Sequence, residues 1–344
     1  MPRAVNSNLQ RRFWWQISIA LALALLASLL NASSSPLCLY VSSYNQGETW
    51  SDGVERGLRD ALGHRCEIAS FYMDTHRYRQ IEEMQQAGLA AYELARDLQP
   101  DVIITSDDNA AKYLILPYLV DTSTPVVFAG INWTVREYGL PASNVTGMVE
   151  VAPLKSMLSN TLNTVSHSLE ERTFTQYKMR DEARILFLSS NTLSERKMLF
   201  RLNSLASRSF GSNVDSILVD DFKNWLAGFK VAQRYDLVII GNNTGIRDWD
   251  DNVAELHVRS HTKTLSVTFN TWMMRYSVLG FTRVAEEQGE WAGLSAVALL
   301  DGLSVSDIPV VTNRRVETWV NPKLLSNSGL QLNPRLINSA RKYY

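Results

Sequence analysis

The chain has 344 residues and a formal net charge of -1, with 45% hydrophobic and 20% charged residues; it is long for one hydrophobic core and comfortable for two. Its Lys and Arg residues are scattered, with no basic run, so there is no electrostatic case for nucleic acid or an anionic membrane surface. Once an amino-terminal leader is set aside, the composition is that of a soluble globular protein.

The leader comes first. Arg11 and Arg12 precede Phe13-Trp14-Trp15, residues 17–30 are almost wholly apolar, and small residues fill 31–35. This is the three-part order of an export signal. The apolar core is short of the ~20 residues that span a bilayer, which favours cleavage between Ala32 and Ser35 over a retained anchor. Cys38 follows Pro36-Leu37, where a lipid-attachment site would want small residues. Residues 1–35 are therefore expected to be a cleavable signal peptide, and the mature protein periplasmic.

The mature chain opens with an apolar run at 37–42, followed by Ser43-Tyr44-Asn45-Gln46-Gly47. Trp50, Val54, Leu58 and Leu62 then recur every four residues and predict a helix from Thr49 to Gly63. A second strand begins at Cys66 and reaches Tyr72-Met73-Asp74-Thr75. The next helix carries Ile81, Met84, Gly88, Ala91, Ala95 and Leu98 on one face and ends at Pro100. Cys38 and Cys66 both stand near strand starts; in an exported protein they form either a disulfide or two buried small hydrophobes.

Residues 101–105 form a short β-branched run that stops on Ser106-Asp107-Asp108-Asn109 ahead of an apolar helical segment at 110–119. Residues 126–129 repeat the pattern and stop on Gly130-Ile131-Asn132-Trp133. Strands apolar on every residue are buried on both faces, as in parallel sheets covered by helices. Such sheets place ligands at the carboxyl ends of their strands.

Residues 153–169 read as helical and mostly polar, 170–182 as charged, and the pattern then restarts. Strands are predicted at 183–188, ending on Ser189-Ser190-Asn191-Thr192; at 215–219, ending on Asp220-Asp221; at 235–240, ending on Gly241-Asn242-Asn243-Thr244-Gly245; and at 265–269, ending on Asn270-Thr271-Trp272. A strand at 278–283, a helix at 287–300 and a strand at 316–320 are too few for a third domain and fit crossings between two lobes. The expected division is 36–150 plus 280–305 for lobe 1 and 151–279 plus 306–344 for lobe 2.

Signatures of catalysis are missing: there is no Gly-x-Ser-x-Gly elbow, His-Glu-x-x-His, Cys-x-x-Cys or phosphate loop. The five histidines fall in different elements; His257 and His261 share helical spacing without the acidic neighbour a metal site would want. The paired carboxylates Asp107-Asp108 and Asp220-Asp221 read either as a Mg²⁺ site or acid/base pair or, more simply, as caps, because an Asp just ahead of a helix caps free amides, with room for one to cap while its neighbour faces a ligand. Tyr44, Tyr72, Trp133 and Trp272, at or beyond strand ends, are either core and hinge residues or ligand contacts.

Ser43 to Gly47 with Trp50-Ser-Asp-Gly53, then Tyr72-Met-Asp-Thr75, Ser106 to Asn109, Pro125 to Asn132, Asn144-Val-Thr-Gly147, Gly241-Asn242, Glu287-Gln-Gly289 and Ile308-Pro309 resemble the ABC-transporter substrate-binding protein family. Its better-known members bind tryptophan or tyrosine, and related modules serve as extracellular sensors of histidine kinases. The resemblance spans about 37–344. It implies an α/β fold of two doubly wound parallel-sheet lobes joined by a three-stranded hinge, the type I periplasmic binding protein fold, closing on a small ligand.

The expectation is a monomeric binding protein, not an enzyme, without cofactor or metal, that captures a small organic ligand for an ABC permease. An amino acid with an apolar side chain would suit. The alternative is a periplasmic sensor that signals to a separate membrane partner such as a histidine kinase. Candidate ligand contacts are Ser43, Tyr44, Asp107, Asn109, Asn132 and Trp133 from lobe 1, and Asn191, Thr192, Asp220, Asn242 and Asn243 from lobe 2.

Overall fold

The computed structural model describes residues 35–162 and 183–344, apart from residue 79. The leader, the charged stretch 170–182 and the end of the helical stretch begun at 153 lie outside the described residues. Strand β1 (Leu37–Ser42) leads into α1 (Thr49–Leu62), β2 (Glu67–Tyr72), α2 (Ile81–Leu98) and β3 (Val102–Ser106). A short α3 (Asp107–Ala110) continues as a π-helix, Ala111–Leu119, and is followed by β4 (Val126–Asn132) and β5 (Val145–Glu150). The second half runs β6 (Ile185–Ser190), α4 (Leu193–Phe210), β7 (Val214–Val219), α5 (Phe222–Ala232), β8 (Leu237–Ile240), α6 (Asp251–His261) and β9 (Leu265–Thr268). After β10 (Leu279–Arg283) come α7 (Ala285–Leu300), β11 (Val311–Thr312), β12 (Val316–Val320), α8 (Pro322–Ser328), α9 (Pro334–Ser339) and β13 (Arg341–Lys342).

These strands form two sheets, one per lobe. The first has the order β11-β5-β4-β3-β1-β2 and is parallel throughout. The second has the order β13-β12-β10-β9-β8-β6-β7, with β10 and β12 antiparallel and the rest parallel. The unbroken apolar runs arise because both faces of each sheet are covered. In β1, Leu39 and Val41 join the core beneath α2, while Cys38 and Tyr40 join the core beneath α1 and α7. In α2 only the middle of the expected face is buried: Gly88, Ala91 and Ala95 are inside, whereas Ile81 and Leu98 overhang into solvent.

Sheet membership moves two of the expected crossings. Strand β10 pairs with β9 and β12 of the second sheet, so the crossing expected at 280 falls after Arg283; β11 pairs with β5, so the return expected at 306 falls between Thr312 and Val316. Between these points α7 packs on α1, backbone against backbone. A Cβ on Gly57 would lie 2.1 Å from Glu286 O, and one on Gly289 would lie 1.8 Å from Val54 O, so only glycine allows this approach. Cys38 of β1 and Cys66, just ahead of β2, form a disulfide across neighbouring strands. Among the described residues no helix is long and apolar enough to cross a membrane.

Candidate functional site

The lobe 1 site begins with a kink in β4. The β4–β5 register slips between Ala129 and Ile131, and Gly130 between them has φ +78°. This bulge tilts the strand end and leaves a backbone surface without a side chain. A Cβ at Gly130 would lie 3.3 Å from Asp107 Oδ1 and 3.6 Å from Glu150 Oε2, so two carboxylates from β5 and the β3–α3 junction border the same residue. The Gly130 N–H donates to Gln288 Oε1 of α7 at 3.0 Å.

Asp107 itself sits at φ +69°, a left-handed conformation that costs energy for a residue other than glycine and is concentrated at functional sites. It is 4% exposed, and its Oδ2 is buried with no hydrogen-bond partner. Burial, then the charges of Glu150, Asp108 and Glu48, push the Asp107 carboxyl well above the usual carboxylate range.

Neither Asp107 nor Asp108 caps α3, against expectation. The left-handed turn directs Asp107 elsewhere, and Asp108 accepts from Asn132 Nδ2 at 2.6 Å and from the Tyr138 hydroxyl at 2.7 Å. The helix start is served instead by Ser43, whose Oγ accepts from Ala110 N at 2.8 Å and donates to Ser106 O at 2.6 Å. Tyr44 stacks on His76 with ring centroids 3.7 Å apart. Burial and the charges of Asp107, Asp108, Glu150 and Glu48 raise its hydroxyl pKa well above the ordinary value, so it stays a neutral donor.

Lobe 2 reaches this cluster through Arg283, the last residue of β10. Its guanidinium pairs with the buried carboxylate of Glu150 and lies 5.4 Å from the centre of the Trp50 ring. Burial raises the Glu150 pKa, and Arg283 partly opposes the shift. Glu195, in the first turn of α4, is pushed up by burial and held back by hydrogen bonds from Ser189 and Asn242 N and by the charge of Arg283. Arg283 thus faces an acid in each lobe at a crossing.

A second contact joins the lobes at the rim. Trp133, with φ +65°, packs against the lobe 2 core beneath the Arg201 guanidinium, which lies 4.2 Å from its ring centre. Lys197 pairs with Glu137 alongside.

The candidate residues fall into two groups. Ser43, Tyr44, Asp107, Asn109 and Asn132 gather around the ends of β1, β3 and β4, although Asn132 is bound to Asp108 and Asn109 donates to Thr75. In lobe 2, Asn242 offers its backbone N–H to Glu195 and its side-chain oxygen to Trp272 Nε1, and Asn243 lies half-exposed in the same turn. Thr192 caps α4. Asn191 and Asp220 bond to each other at the outer strand of the sheet. Asp221 caps α5 as expected.

Glu150, Arg283 and Glu195 were absent from the sequence-based set. Glu150 and Arg283 end apolar strands, the same signal that marked Asp107. Among the described residues no group of three or more His, Cys, Asp or Glu side chains could hold a metal ion.

No family model and no curated protein matches the chain. Solved structures do. A substrate-binding protein with adhesive properties from Clostridium difficile, in its ligand-free open structure, is similar at TM-score 0.67 and 15% identity over 90% of this chain and 99% of that one. An ABC domain in complex with L-Trp from Streptococcus pneumonia gives TM-score 0.57 and 13% identity over 89% and 99%. A periplasmic ribose ABC transporter protein from Conexibacter woesei gives 0.52 and 12% over 86% and 97%. With its two parallel-dominated sheets and its likeness to these structures, the chain has the type I periplasmic binding protein fold.

Proposed function

We propose that this chain is a periplasmic solute-binding protein, exported by its leader, that captures a small polar organic molecule between its lobes and delivers it to an ABC permease. The observation that carries the reading is Asp107: a buried carboxylate oxygen without a partner, at the end of a central strand, is costly unless something pairs with it. A molecule carrying an ammonium and an aromatic or apolar portion, the broad class that includes an amino acid, fits, its ammonium on Asp107 and its apolar part against Tyr44. The Asn242-Asn243 turn closes from lobe 2, with Asn191, Thr192 and Asp220 at the rim.

Closure on a ligand stabilises the protein by mass action, so a true ligand raises Tm in proportion to log concentration well above its Kd. A thermal-shift screen against amino acids, amines and sugars, followed by small-angle scattering with and without the hit, is the test. A hit that leaves both Tm and radius of gyration unchanged in the Asn242→Ala and Tyr44→Ala variants supports this site; one that binds these variants like wild type refutes it.

A further inference from the structure

The charge around Asp107 says more about the ligand than its size. Glu48 caps α1 at its edge, accepting from Trp50 N and Ser51 N. Asp107, Asp108 and Glu150 lie beside Tyr44, and Glu195 stands across the crossing in α4. The cation facing them, Arg283, is already committed to Glu150. A ligand carboxylate entering here would meet acids, while the unpartnered Asp107 Oδ2 is free to receive a positively charged nitrogen, whose charge favours loss of the carboxyl proton on binding.

The surroundings also suit a cation with an apolar body. Tyr44 stacked on His76 forms an aromatic wall, and the Arg283 guanidinium near the Trp50 ring is a cation already seated between an indole and a carboxylate in this same region. On one side of Gly130 the Gln288 carboxamide is fixed by its oxygen, and its Nε2 is buried and unpartnered. It is a donor suited to a hydroxyl or other neutral acceptor on the ligand.

We propose that the ligand of this cleft is an organic cation, a primary amine or guanidine with an aromatic or apolar portion, whose charged nitrogen is received by Asp107 Oδ2 beside Tyr44. The inference rests on the cleft reading above and narrows it: a net cation binds better than the zwitterion or anion built on the same ring.

The test holds the ring constant and changes the charge. Tyramine, L-tyrosine and 4-hydroxyphenylpropionate, and separately agmatine, putrescine and ribose, are titrated by calorimetry into wild type, Asp107→Asn and Asn242→Ala. The expected result is that at least one amine or guanidine binds, that any zwitterion or anion of matching ring binds at least tenfold more weakly, and that Asp107→Asn weakens the cation about tenfold or more, as loss of a charge-assisted hydrogen bond requires.

Glu150→Gln is the second variant: should Asp107→Asn not fold, it must weaken the cation in the same sense. Tighter binding of L-tyrosine, 4-hydroxyphenylpropionate or ribose, lost in Asn242→Ala, overturns the cation inference and leaves the cleft reading standing. Amine binding that is unchanged in the Asp107 and Glu150 variants also overturns it. Absence of binding by every probe, together with a blank metabolite screen, brings down the cleft reading and the inference with it.

Discussion

Replacing Asp107 by asparagine keeps the shape of the side chain, removes its charge, and suits the backbone, since Asn tolerates φ > 0 better than most residues. An unfolded Asp carboxyl titrates near ~3.9, whereas burial and neighbouring acids hold the folded Asp107 well above that range. Between those two values the folded protein keeps a proton that the unfolded chain has lost. Wild-type stability from this group is therefore complete below about pH 4 and falls by ~1.4 kcal/mol per pH unit until the folded carboxyl ionises.

The neutral amide has no such slope. Asp107→Asn should be more stable than wild type, by a margin that is smallest at pH 4, widens with rising pH and then levels off. Relief of the unpartnered oxygen adds on the order of 1–3 kcal/mol if the new amide finds an acceptor, and Glu150 borders the same glycine. Urea unfolding of both proteins at several pH values between 4 and 8, without ligand, measures the margin. Parallel pH profiles, or a variant weaker than wild type at pH 8, would refute the picture of a buried, unpaired carboxylate.

Arg283→Met leaves Glu150 without its buried counter-charge and is expected to cost about 3–5 kcal/mol; a loss under ~1 kcal/mol in urea unfolding would mean the pair is solvated. Cys38→Ser with Cys66→Ser opens a loop of sequence separation 28 and should lower stability by roughly 3–4 kcal/mol by chain entropy; identical wild-type melting with and without reductant contradicts the bridge. Arg201→Ala removes the cation above Trp133, about 0.5–1 kcal/mol at a partly exposed site, and should weaken binding of a ligand found in the screen about two- to fivefold. Unchanged affinity would show that this rim contact does not bias closure.

The alternation of apolar runs and polar stops made both sheets legible, because a strand buried on both faces leaves an unmistakable run. It also exposed Asp107, which interrupts such a run at its carboxyl end. Glu150 and Arg283 end runs too, yet their importance lies in a pairing across 133 positions of sequence that no local pattern carries. Two-residue β11 has no signature at all, and the antiparallel turn of β10 against β12 depends on tertiary packing, which is why the crossings shifted. The Asp107 and Asp108 side chains looked like caps because capping is a local rule; Ser43, just past the end of β1, satisfied the amide instead.

The seating of α7 on α1 has a consequence for the order in which the protein can fold. Val54 and Leu58 of α1 are buried in the same core as Ala292 and Ala296, and the Gly130 amide is answered by Gln288. A nascent chain that stops at residue 150 holds most of the strands of lobe 1 but exposes that apolar stripe and leaves the amide beside Asp107 bare. The lobe synthesised first is therefore incomplete until β11 has been made, late in the chain. It waits for residues 285–312 to emerge, so a fragment of lobe 1 alone is a poor vehicle for studying the candidate site, which is complete only when nearly the whole chain is present.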